Sequence, residues 1–196
     1  YTGSVVVGGA SPTTVFTGKG ITFGSTLDAT ANATSNGVSI STLRIQVADS
    51  GNTTYSGDIG GSMAPAHFET DGSGKSFFGG HLVRTSSSSS ILIADDAVLT
   101  ADTTFDTTNN GNLPTGANIT FAKTLNGFSA NGQSVTLNAG TAGLISVQGG
   151  VGQSTTLKTL TLANSGGASF LQPVSTGTSV VLSDTTATQT IQFADN

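Results

Sequence analysis

The chain has 196 residues, a length typical of one β domain, and only 9% of them are charged, with a formal net charge of -5. Its six basic residues are scattered along the sequence, which argues against a nucleic-acid-binding surface, because such surfaces need clustered Lys and Arg. The absence of cysteine excludes disulfides, thiolate catalysis and zinc–thiolate sites.

Short apolar clusters predict β-strands along the first half of the chain. Good helix formers are scarce, and Gly, Thr or Asn interrupts every apolar pattern of helical spacing. In chain order, the predicted strands contain Val5 to Val7, Val15-Phe16, Ile21 to Phe23, Leu43 to Val47, Phe77-Phe78, Ile91 to Ile93 and Val98-Leu99.

The second half continues with the same rhythm. Its predicted strands contain Ile119 to Phe121, Val135 to Leu137, Leu144 to Val147, Leu157 to Leu162, Phe170-Leu171, Val180 to Leu182 and Ile191 to Phe193. Leu157 to Leu162 alternates apolar and polar residues, so we expect one buried and one solvated face. Turn clusters such as Asn109 to Asn112 separate the strands.

One long segment of the sequence recurs. Gly20 to Asp28 resembles Asn118 to Asn126, and weaker correspondences follow each copy. We interpret residues 1–196 as a single domain with two long internal repeats, at about 18–105 and 116–193. Phe23 and Phe121 correspond in this alignment and are predicted to point into the core, whereas Thr22 and Thr120 are predicted to face solvent.

Two all-β architectures fit evenly spaced short strands: a right-handed parallel β-helix (β-solenoid) of about nine coils, and an antiparallel β-sandwich. Repetition of a whole series of strands and turns favours the solenoid, because a solenoid fills its core by stacking like residues.

The phrases Ile21 to Thr30, Ser134 to Gly140 and Leu157 to Leu162 resemble the β-strand repeats of large bacterial surface proteins. These are the filamentous-haemagglutinin-like and autotransporter-like adhesins. The resemblance covers most of the chain from about Gly18 onward, and its motifs are compositional. It implies a right-handed parallel β-helix, secretion, and a role in adhesion, matrix or surface layers.

Candidate chemical sites are few. His67 and His81, with Asp58, Glu69 and Asp71 nearby in sequence, are the group that could supply a general base or a metal site. The histidine spacing matches no metal signature, and loop histidines on a solenoid are expected to be solvated. Calcium candidates are a separate set of turn carboxylates, which are expected to be solvated because their spacing does not bring six to eight oxygens together: Asp95, Asp96, Asp102 and Asp106.

The sequence therefore predicts an extracellular or cell-surface structural and adhesive protein that is not an enzyme and uses no cofactor. We expect a filament or fibre subunit that self-associates through its end strands, at Val5, Val6, Val7, Ile191 and Phe193. A surface glycan or a host molecule is a further class of ligand; a membrane span and nucleic acid are not expected. The alternatives are a slice of a giant secreted adhesin and a polysaccharide-acting β-helix enzyme.

Overall fold

The computed structural model describes residues 1–35, 37–71, 73–86, 89–183 and 189–194, and this part of the chain contains strands and no helix. The all-β prediction is confirmed. The strands, in chain order, are β1 (Val5–Val7), β2 (Thr13–Gly18), β3 (Ile21–Phe23), β4 (Leu27–Ala29), β5 (Ala33–Ser35), β6 (Val38–Ile40), β7 (Arg44–Asp49), β8 (Thr53–Tyr55), β9 (His67–Thr70), β10 (Lys75–Phe78), β11 (Leu82–Arg84), β12 (Ile91–Ile93), β13 (Asp96–Leu99), β14 (Thr103–Asp106), β15 (Ile119–Phe121), β16 (Leu125–Gly127), β17 (Val135–Asn138), β18 (Leu144–Val147), β19 (Leu157–Asn164), β20 (Gly167–Phe170), β21 (Thr176–Leu182) and β22 (Ile191–Phe193).

Parallel pairing gathers these strands into long sheets. Sheet I has the order β2-β7-β9-β12-β15-β18-β20-β22, and sheet II has the order β3-β8-β10-β13-β16. Sheet III contains β11-β14-β17-β19-β21, and single bridges through Ile59 join it to the pair β1-β4. The pairing is parallel throughout the three sheets, unlike that of an antiparallel sandwich; the hairpin β5–β6 is an antiparallel insertion.

The chain visits the sheets in a constant order, III, I and II, on each pass. We call each pass a row; row 1 contains β1, β2 and β3, and row 8 contains β21 and β22. Eight strands in sheet I correspond to eight rows in the described residues, one fewer than the nine or so coils expected from the sequence. This arrangement is compatible with a β-solenoid.

The core consists of columns of like residues, one from each row. In sheet I the paired positions Ile45, Phe68, Ile91, Ile119 and Ile145 are all buried. Along each strand, the residues next to these buried positions point outward, because successive side chains of a strand lie on opposite faces.

In sheet II an aromatic column runs through Phe23, Tyr55 and Phe78, with stacked rings 5.5 and 5.2 Å apart. Each offset aromatic pair of this kind contributes about 0.5–1.5 kcal/mol beyond its area burial. The aromatic column therefore ties rows 1 to 3 together.

Phe23 and Phe121 are both fully buried, as expected, and Thr22 is exposed. Phe23, however, lies in sheet II and Phe121 in sheet I, so the two similar segments begin in different sheets. An Ile-Thr-Phe strand buries its first and third residues in either sheet, and similarity of sequence therefore does not assign the sheet.

Some corners between sheets bring backbones too close for a side chain. A Cβ at Gly80 would overlap the Gly57 carbonyl of the preceding row, and a Cβ at Gly152 would overlap the Ser175 carbonyl oxygen. Gly152 also has a positive φ of 66°, a conformation that glycine adopts without steric cost. These glycines allow the rows to approach at the corners.

Candidate functional site

The last row leaves core-facing side chains uncovered. Leu182 is 50% exposed, although its register partner Leu162 in the preceding row is fully buried. In the same way, Phe193 is 39% exposed and stacks at 4.9 Å on the buried Phe170. Val180 is exposed as well, although its register partner Leu160 is buried. In the described part of the chain, the core of the stack is therefore open at row 8.

Row 1, at the opposite end, is partly closed by Tyr1. Its ring stacks on Phe23 at 5.4 Å and meets the edge of Phe16 at 5.8 Å. Two backbone hydrogen bonds hold it: the Tyr1 nitrogen donates to the Thr22 carbonyl at 3.0 Å, and the Gly24 nitrogen donates to the Tyr1 carbonyl at 2.7 Å. Tyr1 therefore forms a lid whose outer face is accessible.

Both ends present strands that are paired on one side. In sheet I, β2 and β22 are the two edges, and in sheet III the edges are β1 and β21. The residues predicted to self-associate lie on these edges, with Val5–Val7 in row 1 and Ile191 and Phe193 in row 8. Val6 points outward and is 60% exposed, whereas Val7 is buried.

Sequence reasoning missed the exposure of β21. The triplet Val180 to Leu182 has the pattern of an ordinary strand, and it is exposed because β21 is the last strand of sheet III among the described residues. The sequence signal for this exposure is that only one further predicted strand, Ile191 to Phe193, follows the triplet.

His67 and His81 lie apart, in different surroundings. His67 lies in β9 and is buried, which corrects the expectation of a solvated loop: pairing of β9 with β7 and β12 places it beneath neighbouring rows. Its Nε2 is 3.3 Å from a Glu69 carboxylate oxygen, and its Nδ1 is 3.2 Å from Ser90 Oγ. Burial lowers the pKa of the His67 imidazole and nearby Arg44 lowers it as well, against the opposing effect of Glu69.

His81 is exposed. Its backbone nitrogen donates to the Asp58 carboxylate at 2.8 Å, and its Nδ1 is 3.0 Å from the Asp102 carbonyl oxygen. Asp58 also accepts from the Leu82 nitrogen. The second histidine therefore braces a corner between rows, away from the Ser90–His67–Glu69 chain.

The calcium candidates do not converge. Asp106 is buried and accepts from Thr108 and from the Asn110 nitrogen, while Asp96 accepts from Thr124 and Asp102 from the Ser134 nitrogen. In the described ranges, no three His, Cys, Asp or Glu side chains are grouped so as to hold a metal ion. These carboxylates bind backbone and hydroxyl donors of turns and adjacent rows, and the burial of Asp95 and Asp106 corrects the expectation that they are solvated.

A polar cluster lies inside the core between sheets I and II. Asp95 Oδ2 accepts from Ser76 Oγ at 2.7 Å, and Asp49 Oδ2 accepts from Thr53 Oγ1 at 2.6 Å. Asp95 Oδ1 and the Tyr55 hydroxyl are buried without a hydrogen-bond partner among the residues that the structure describes. Burial raises the pKa of Tyr55 well above its usual value, and the Asp95 carboxylate raises it further.

The described residues include no helical segment with the length and apolarity of a membrane crossing. Comparison of the chain with protein-family models, curated proteins and solved structures finds no match.

Proposed function

We propose that the chain is an extracellular structural and adhesive surface protein, folded as a right-handed parallel β-helix, whose copies join end to end. The observation that carries this proposal is the open core at row 8, where Leu182 and Phe193 continue buried columns and yet are exposed. Edge strands that continue a buried column are suited to pairing with another chain.

The occupant proposed for the open end is row 1 of a second copy. In sheet I one column begins at Phe16 and ends at Phe193, with Val47 and Phe121 among the paired residues between them. A second copy that adds its β2 beside β22 would continue both the hydrogen-bond ladder and this column. Such a contact uses different surfaces of the two copies and adds each copy along the direction in which the rows stack, so it repeats as an open filament rather than closing into a ring.

The apolar contribution to this contact is moderate. Burying a Val, Leu, Ile or Phe side chain completely gains about 1.5–3 kcal/mol, so covering half-exposed Val180, Leu182 and Phe193 gains about 1 kcal/mol each. Association costs at least about 4 kcal/mol in lost translation and rotation. We therefore expect assembly to depend strongly on protein concentration and on the added backbone ladder.

Two substitutions on neighbouring residues test the proposal. Leu182→Ser alters a core-facing position, whereas Val181→Ser alters the outward position of the same strand, which pairs with Thr161. Light scattering and negative-stain microscopy should show fibres of uniform width for the wild type and Val181→Ser, and shorter particles for Leu182→Ser. Monodisperse short rods for the wild type at every concentration would overturn the filament proposal and favour a slice of a larger adhesin.

The proposal includes no catalytic step, and the Ser90–His67–Glu69 chain provides a direct test. A hydrogen-bonded Ser, His and carboxylate is the arrangement that activates a serine for acyl transfer. A fluorophosphonate reagent should leave Ser90 unmodified. Labelling of Ser90 that is lost in His67→Gln would favour the enzymatic alternative.

A further inference from the structure

A groove of about 480 Å³ lies on the outer face of sheet II, away from both ends of the stack. Three strands form its floor: β10, β13 and β16. Ser76, Phe78, Ala97 and Leu99 point into the core, so the alternate side chains of these strands face the groove. This places Phe77 beside Val98 and Lys75 beside Asp96.

An exposed aromatic ring forms one wall of the groove. Phe128 is 66% exposed, and its loop is braced by Gln133, whose side-chain oxygen accepts from the backbone nitrogens of Phe128 and Ser129 at 2.9 and 3.1 Å. Asn131 ties the same loop to Thr156. The loop adds the Phe128 ring to Phe77 and Val98 of the floor, so apolar side chains from three rows line the groove together.

The polar groups of the groove are held in place and retain free bonding capacity. Asp96 Oδ1 accepts from Thr124, while Asn126 Oδ1 accepts from the Ser154 nitrogen at 3.0 Å. Asp96 Oδ2, the Asn126 amide nitrogen and the Lys75 ammonium have no hydrogen-bond or ion-pair partner among the described residues. The groove therefore offers one fixed acceptor, one fixed amide donor and the unpaired Lys75 ammonium beside an apolar ring.

These features select one class of ligand. Lys75 and Asp96 give the groove no net charge, which disfavours a strongly charged ligand. Strands β10 and β13 are hydrogen-bonded on both sides, and the outer edge of β16 is bonded to Gly150, Gly152 and Thr155, so an extended peptide cannot add to the floor as a further strand. A pyranose ring has an apolar C–H face for Phe128 and hydroxyls that both donate and accept. We infer that the outer face of sheet II binds a neutral oligosaccharide, with Phe128 as the stacking platform and Lys75, Asp96 and Asn126 as hydrogen-bonding partners.

Calorimetric titration with three neutral hexasaccharides, maltohexaose, cellohexaose and chitohexaose, tests this inference, with hexagalacturonate as the charged comparison. At least one neutral glycan should bind more tightly than hexagalacturonate. Phe128→Ala should weaken that binding about tenfold, which is about 1.4 kcal/mol, because the variant loses the apolar face on which the pyranose ring stacks. Lys75→Ala should also weaken it. The control is Leu144→Ala, which truncates another exposed apolar side chain, outside the groove, and should leave affinity unchanged.

Three outcomes would overturn the inference. The first is that no neutral glycan saturates the protein at millimolar concentration, and the second is that Phe128→Ala and Leu144→Ala change the affinity equally. The third is that Phe128→Ala abolishes side-by-side association of copies but leaves glycan affinity unchanged. The last would make the groove an interface between copies. The groove does not depend on end-to-end assembly, so Leu182→Ser should leave glycan affinity unchanged. Failure of the filament proposal and failure of the glycan proposal can therefore be distinguished.

Discussion

Truncating Phe121 to Ala should open the middle of the stack. This ring is fully buried, pairs in register with Ile93 and Val147, and meets Phe105 edge-on at 5.0 Å. Loss of a buried Phe costs about 3–5 kcal/mol, which corresponds to a drop of about 10² to 10⁴ in local hydrogen-exchange protection. Because rows contact mainly their neighbours, the loss should concentrate in the rows of Ile93, Phe121 and Val147.

Thr120→Ala on the same strand provides the control. Thr120 points outward, and its truncation should change the free energy of unfolding by no more than about 0.5 kcal/mol. Hydrogen exchange read by mass spectrometry, with urea denaturation, measures both variants. A uniform loss of protection along the chain after Phe121→Ala would refute row-by-row stability. Equal costs for the two variants would refute the register.

Three other predictions follow from buried or strained positions. Gly152→Ala should destabilise by more than about 1 kcal/mol in urea denaturation, whereas Gly3→Ala, in open space, should be neutral; equal effects would contradict the close approach of the corner. Tyr1→Phe leaves Tyr55 as the one tyrosine of the chain, and absorbance at 295 nm should then show no tyrosinate until the chain unfolds, because the pKa of Tyr55 is raised. The free energy of unfolding should fall as pH rises above the unfolded tyrosine pKa of about 10. The pKa of His67 is lowered, so its contribution to the free energy of unfolding is present above the unfolded pKa of about 6.5 and is lost as pH falls. His67→Gln should therefore reduce the dependence of stability on pH between about pH 7 and 5. An unchanged dependence would contradict the burial of His67.

Apolar triplets predicted their strands well. Ile119 to Phe121 and Ile91 to Ile93 form strands at the predicted positions, because two apolar residues flank one outward residue. Strand β14 was missed, since its inward residues are Thr103 and Phe105 and the hydroxyl breaks the apolar pattern. Thr103 is accommodated in the interior because its hydroxyl donates to the Gly80 carbonyl at 3.0 Å.

The candidate sites were less accessible to sequence reasoning. Position near the chain ends suggested Val5–Val7 and Phe193, and these residues lie on edge strands, but their self-association remains a proposal. The groove brings together Phe77 and Phe128, which are far apart in sequence and become neighbours through the stacking of rows. No local pattern encodes such a neighbourhood, because it depends on the length of every intervening row.

In parts of the stack, successive rows contain the same number of residues, and this determines which insertions and deletions the fold accommodates. The partners Phe68 and Ile91 are 23 positions apart, as are Ile145 and Ala168, and Ala168 and Ile191. Removing or duplicating a segment of this length at those rows would return every later residue to its former sheet and face. Genetic gain or loss of whole rows could therefore lengthen or shorten the particle while preserving both end surfaces, whereas insertion of one residue within a strand would exchange its inward and outward faces.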